Sequence, residues 1–133
     1  GKDGSREIAA DDYFQGLFAT ALEEGEIVTE IRFPIPQASN YQKFEQPASR
    51  FPLVGVFVAR FVDKVGVGVT GAGENGVFRW EEAEAALAGS FSPDAIEGLS
   101  VSAEGLMGDI HATPEYRAHL IKVMTKRAVA ACA

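Results

Sequence analysis

Two valine-rich runs, LVGVFVARFV (53–62) and KVGVGVTGAG (64–73), meet at Asp63-Lys64 near the middle of the chain. Valine is stiff at its branched Cβ and packs well on a pleated surface, so two such runs across a turn predict an antiparallel hairpin. Apolar residues crowd both faces of the first run, which predicts a central place in a sheet. NYQKFEQ (40–46) is a shorter strand candidate, and GVFRW (76–80) adds another after the Asn75-Gly76 turn. EIVTEIRFPIP (26–36) alternates, with Ile27, Thr29 and Ile31 on one side and Val28, Glu30 and Arg32 on the other. That pattern predicts a half-buried strand ended by Pro34 and Pro36.

Elsewhere the period is helical. Asp11 or Asp12 precedes Tyr13, Phe14 and Leu17, predicting one or two turns that Gly16 cuts short. WEEAEAALAG (80–89) is a helix ending at Gly89, and SPDAIEGL (92–99) offers Ser92 as N-cap with Pro93 in the first turn. A long closing helix is predicted from about Pro114 to Ala131, with Tyr116, Leu120, Val123, Met124 and Ala128 as its apolar stripe. Strands gathered before helices imply an α+β fold: a small, mainly antiparallel, meander-like sheet layered on one face by about three helices. With 133 residues and no internal repeat or low-complexity tract, residues 1–133 are expected to form a single domain.

Charge and cysteine usage narrow the function classes. A net charge of −7 disfavours nucleic acid and anionic membrane surfaces as partners. Cys132 is the lone cysteine, so no internal disulfide can form. No apolar run predicts membrane insertion, and a cytoplasmic protein is expected. The start at Gly1, polar and then quickly structured, leads us to expect an excised fragment of a longer chain.

Site motifs are few. GVGVTG (66–71) matches the dinucleotide G-x-G-x-x-G letter for letter, but it lies inside a strand pattern and no helix start follows. Gly66 and Gly68 are read instead as relieving crowding on one sheet face, and Gly71 and Gly73 as bending the strand's exit. Cys132 sits at a fraying terminus, and no G-x-S-x-G elbow occurs. Glu23, Glu24, Glu26, Glu81, Glu82 and Glu84 read as solvated turn and helix surface. His111, Glu115 and His119 are spaced by four, as zinc ligands on one helix would be. Thr113-Pro114 breaks that register: an N-cap hydroxyl and a first-turn proline start the helix after His111. His119 then falls on the solvent side, and Lys122, Lys126 and Arg127 suit the helix C-terminal dipole. No metal site and no catalytic residue is expected from these residues.

Three blocks, in this order and spacing, carry a family resemblance. They are DDYFQGLFATALEEGEIVTEIRFPIP (11–36), YQKFEQPASRFPLVGVFVA (41–59), and GVTGAGENGVFRWEEAEAALAGS followed by GDIHATPEYRAHLIKVMTKRAV. Nearly the whole chain resembles the C-terminal domain of the FAD-binding medium subunit of molybdenum hydroxylases, the carbon monoxide dehydrogenase and xanthine dehydrogenase relatives. The resemblance implies a small sheet layered with three helices, and FAD held mainly by preceding glycine-rich domains that residues 1–133 lack. It implies a molybdenum-bearing large subunit and an iron–sulfur small subunit as partners, with electrons passing from the molybdenum cofactor through iron–sulfur clusters to FAD. By the same resemblance, Ser49-Arg50-Phe51-Pro52-Leu53 is the part nearest the flavin, with Arg50, Phe51 and Leu53 as the cofactor-side candidates. Pro52 and Leu53 stand here where many relatives carry an acidic residue and a small apolar pair. Asp109, Tyr116 and Arg117 match the family's closing motif as structural residues, Asp109 capping or pairing locally and Tyr116 anchoring the helix in the core. The fragment alone is expected to be inactive. A freestanding acidic protein-interaction module is the alternative, and a small metal-binding domain a third reading. The substrate is left open.

Overall fold

The computed structural model describes residues 1–16 and 18–132 and divides the chain into two compact units, Gly1–Pro34 and Ile35–Ala133. In the first, a single helical turn, α1 (Ala10–Tyr13), leads into two short antiparallel strands, β1 (Phe14–Gly16) and β2 (Ala19–Thr20). Ala9 takes the N-cap position without a side-chain bond, and Asp11 and Asp12 fall inside the first turn rather than ahead of it. Leu17, expected on the apolar side of this helix, lies outside the described residues.

The strand expected at 26–36 is absent. Residues 27–34 belong to no ladder, and Ile27, Ile31 and Phe33 are exposed. Alternation selects a face, but a strand also needs a paired edge and a core to cover that face. None of the described residues in this unit is buried. Its tertiary ties are surface ion pairs: Arg6 with both carboxylate oxygens of Glu26 at 2.8 and 2.7 Å, and Arg32 with Glu7 and Glu30 at 2.5 and 2.6 Å.

The second unit is an antiparallel meander. β3 (Ala38–Glu45), β4 (Pro52–Arg60), β5 (Val65–Gly73) and β6 (Gly76–Arg79) pair in chain order, so β4 is an inner strand, as its apolar faces predicted. Val58 opposes Val67 and Val56 opposes Val69, which puts a block of valines on one face. The β4–β5 connection is the tight hairpin expected, one residue earlier than Asp63-Lys64: Phe61 N–H donates to Lys64 O at 2.8 Å, which leaves Val62-Asp63 as the turn. Three helical elements cover the valine face: α2 (Glu81–Gly89), a 3-10 turn (Pro93–Ile96) and α3 (Pro114–Ala131). Val54, Val56, Val58, Val67, Val69, Leu87, Ile96, Ile121 and Met124 are almost wholly withdrawn from water. Each such side chain contributes about 1.5–3 kcal/mol by its removal from solvent. This is the expected α+β arrangement.

Local signals held where they were chemically specific. Ser92 Oγ accepts from Asp94 N–H at 3.1 Å, and Thr113 Oγ1 accepts from Tyr116 N–H at 3.3 Å with Pro114 at the first helical position. His111 therefore precedes α3, and His119 is exposed. The buried stripe of α3 is rotated from the one expected. Arg117, Leu120, Ile121, Met124, Thr125, Ala128 and Val129 face inward. Tyr116 is 43% exposed and only edges onto Phe44, with ring centroids 6.2 Å apart, so it does not anchor the helix in the core. Lys122 and Lys126 do not serve the C-terminal dipole, since α3 runs on to Ala131; they tether Glu97 through its backbone carbonyl and its carboxylate.

Two glycine readings separate. A Cβ on Gly66 or Gly68 would meet nothing within 4 Å, so crowding does not explain them. Gly71 does bend the strand: it has φ +77°, lies in the irregular β5–β6 register, and its Cβ would come within 2.6 Å of Pro52 O. Glu84 is also corrected. It is buried on α2, accepting from Val67 N–H at 2.9 Å and from Arg79 at 3.0 and 2.5 Å. Its carboxylate satisfies a β5 edge amide just beyond the end of β6.

Candidate functional site

The segment between β3 and β4 is a loop built around one side chain. Gln46 Oε1 accepts from Ala48 N–H at 2.7 Å, Ser49 N–H at 2.8 Å and Ser49 Oγ at 3.3 Å. Gln46 N–H donates to Phe51 O at 2.9 Å, and Arg50 N–H to Gln46 O at 2.8 Å. The chain reverses at Arg50, which sits in the left-handed region at φ 60°. The reversal leaves the Phe51 ring 75% exposed, while Leu53 is buried at the start of β4.

Beside this loop lies the turn before α3. Asp109 Oδ1 accepts from His111 N–H at 2.8 Å and Ala112 N–H at 3.0 Å. Asp109 Oδ2 pairs with Arg117 Nη2 at 2.7 Å, while Arg117 Nη1 donates to Leu53 O at 2.6 Å and Gly71 O at 3.0 Å. Backbone donation from His111 and Ala112, helped by the Arg117 charge, holds the Asp109 carboxyl below the ordinary aspartate range against partial desolvation. Asp109 thus both caps and pairs, as expected. Arg117 is 2% exposed, and its Nη1 and Nη2 are committed inward, while Nε has no partner among the described residues. A buried arginine needs its fork satisfied, and the two carbonyls do this where the β4–β5 ladder has stopped at Gly55–Thr70.

Loop and turn enclose an open cleft of about 540 Å³, lined by Gln46, Ser49, Phe51, Leu53, Met107 and His111 among others. Phe51 and Leu53 meet here. Arg50 is not among the lining residues; its carbonyl accepts from Lys43 Nζ at 3.3 Å on the neighbouring side of the turn. The cleft has an apolar wall and a polar rim, with the Gln46 amide 3.4 Å from His111 Nδ1. Sequence reasoning did not place Gln46, His111 or Met107 at this cleft, having weighed His111 only as a zinc ligand. Their only local signal is the Gln-Pro-Ala-Ser turn composition, since the cleft is assembled from segments about sixty residues apart.

A second open cleft, about 620 Å³, lies within the first unit between Gly1–Arg6 and Glu23–Glu26. Its arginine is already committed: the Arg6 hydrogen bond, with the Glu23 amide, lowers Glu26 to about 2. Among the described residues no group of three or more His, Cys, Asp or Glu could hold a metal ion. Burial pushes the Cys132 thiol upward, away from a reactive thiolate. Among the described residues no helix is long and apolar enough to cross a membrane.

Comparison with known proteins points to one group. The chain is 32% identical to the nicotine 6-hydroxylase medium subunit of Paenarthrobacter nicotinovorans over 136 aligned positions, covering 95% of this chain and 48% of that protein. It is 26% identical to the carbon monoxide dehydrogenase medium chain of Afipia carboxidovorans and 25% identical to that of Hydrogenophaga pseudoflava, each match covering 97% of this chain and 49% of the relative. The chain therefore spans about half the length of these curated relatives. No family model matches it, and no solved structure matches it.

Proposed function

The chain belongs to the medium-subunit family of the carbon monoxide dehydrogenase and nicotine 6-hydroxylase type, and from that premise we propose that it is the C-terminal part of an FAD-binding subunit of a molybdenum hydroxylase. The observation that carries the reading is a relationship to medium subunits extending over 95% of the chain. In this reading the cleft between Gln46–Leu53 and Met107–His111 forms one wall of the flavin pocket. FAD, when bound, supplies the electron-accepting ring chemistry. This chain's residues wall and orient it.

The residues present fit part of that cofactor and not all of it. Phe51 offers a solvent-facing aromatic ring, Leu53 and Met107 an apolar floor, and Gln46, Ser49 and His111 groups that hydrogen-bond a heterocycle edge. An aromatic ring can stack on a flavin, and a low-polarity wall excludes water from it. Among the described residues no helix start with glycine-rich backbone faces the cleft, so in this reading the phosphates are bound outside it. The partners under this reading are a molybdenum-bearing large subunit and an iron–sulfur small subunit, in a cytoplasmic complex. The relatives are named for carbon monoxide and for nicotine, so membership alone does not choose the substrate.

The test is FAD titration of the flavin-free full-length subunit carrying Phe51 or Phe51→Ala. Loss of one stacked ring is expected to weaken binding about two- to tenfold, from roughly 0.5–1.5 kcal/mol for an aromatic pair, and to alter the bound flavin's visible spectrum. Unchanged affinity together with an unchanged spectrum overturns the assignment of this cleft.

A further inference from the structure

Phe51 is 75% exposed, so little packing holds it and the backbone sets where its Cα–Cβ bond points, and with it the reach of the ring. That backbone is held from both ends by a closed circuit of polar contacts. Gln46 N–H clamps Phe51 O at 2.9 Å, and Ser49 Oγ accepts from Phe51 N–H at 3.4 Å. Two residues on, Leu53 O is gripped by Arg117, Arg117 by Asp109, and Asp109 by the His111 amide. The His111 ring then returns to Gln46 at 3.4 Å. The same guanidinium also takes Gly71 O, at the irregular end of β5. One buried cation therefore ties the start of β4, the bend of β5 and the turn before α3 to the base of the exposed loop.

We infer that Arg117, oriented by Asp109, is a positioning residue that sets the angle at which Phe51 presents its ring to the cleft. The inference rests on the flavin-wall reading above. Arg117 and Asp109 also line the cleft; the proposed role runs through Leu53 O, and a direct contact of Arg117 with the flavin would show instead as additivity with Phe51→Ala. A planar fork holds two carbonyls and a carboxylate in fixed directions, which a lysine's point charge cannot reproduce.

The test is a double-mutant cycle in the full-length, FAD-loaded subunit assembled with its partners. Phe51→Ala, Arg117→Met and the double variant are compared by visible circular dichroism of the bound flavin. Amide exchange at Ala48 and Ser49 is followed in the flavin-free protein. Arg117→Met is expected to change the flavin signal in the same sense as Phe51→Ala, with no further change in the double variant. Exchange at Ala48 and Ser49 should quicken at least tenfold. Where Arg117→Met does not fold, Arg117→Lys and Asp109→Asn replace it, and each should give a smaller change of the same kind. A folded Arg117 variant that leaves both signals at the parent value overturns the inference, as does strict additivity with Phe51→Ala. If Phe51→Ala itself leaves the flavin signal untouched, the flavin-wall reading fails first and takes this inference with it.

Discussion

Residues 27–33 of the first unit alternate as cleanly as β3 in the second, yet only β3 is a strand. In β3, Ala38, Asn40, Gln42 and Phe44 turn toward the helical layer, with Phe44 packed on the core, and Ser39, Tyr41, Lys43 and Glu45 turn out. In the first unit the equivalent apolar positions stay in water, Ile31 at 67% and Phe33 at 81% exposure. Period 2 tells which side chains would share a face. It does not tell whether a neighbour exists to pair the edge or a core to receive the face. The two units also rest on different forces: solvent-screened surface ion pairs against a buried valine block.

The sharpest way to break this contrast is an equal-sized truncation in each unit. Ile121→Ala, at a wholly buried position on α3, should lower unfolding stability by about 2–5 kcal/mol in urea. Ile31→Ala should change it by no more than about 0.5 kcal/mol. Comparable losses would mean that the first unit has a core of its own. Next in size, Glu84→Ala should cost about 1–3 kcal/mol, because Val67 N–H and Arg79 lose a buried acceptor. Glu81→Ala on the exposed side of the same helix should be near neutral, and the pair is read by thermal melting.

A smaller effect is expected at the loop. Arg50 adopts a left-handed conformation that costs a residue with a Cβ roughly 1–2 kcal/mol, while glycine carries an entropy penalty of about 0.5–1 kcal/mol. Arg50→Gly should therefore stabilise by at most about 1.5 kcal/mol in urea; a clear destabilisation would show that the arginine side chain holds the turn. The smallest effect concerns acid. Asp109 is depressed in the folded state, so its contribution is fully present above the ordinary aspartate range and is lost as pH falls through its lower folded value. Asp109→Asn should flatten that acid limb of stability against pH. Arg6→Ala, which removes the partner that lowers Glu26 in the first unit, should leave the main unfolding transition unmoved.

Much of the second unit was legible because its signals are local. Thr113-Pro114 and Ser92-Pro93 each dictate a backbone event within a few residues, and each occurs. The turn expected at Asn75-Gly76 falls one residue earlier, at Glu74-Asn75, with Gly76 opening β6. The inward positions of Arg117 and Glu84 were not legible. Charged residues default to solvent, and their burial here depends on acceptors and donors far along the chain: Leu53 O, 64 residues from Arg117, and Val67 N–H, 17 from Glu84. The same difficulty put the α3 stripe out of phase, because Tyr116 and Val123 look more apolar than Arg117 and Thr125. Phe51 and Leu53 came from family resemblance, not from any local pattern. The structure brings both to one cleft, with Arg50 on the turn beside it.

The central claim is that this chain completes a flavin-bearing medium subunit, and flavin content tests it most directly. Residues 1–133 and the full-length protein are purified side by side and their absorbance near 450 nm is compared with protein concentration. The account predicts a colourless fragment and a full-length subunit with about one FAD per chain. A full-length protein that purifies without flavin and takes up none on reconstitution would contradict it.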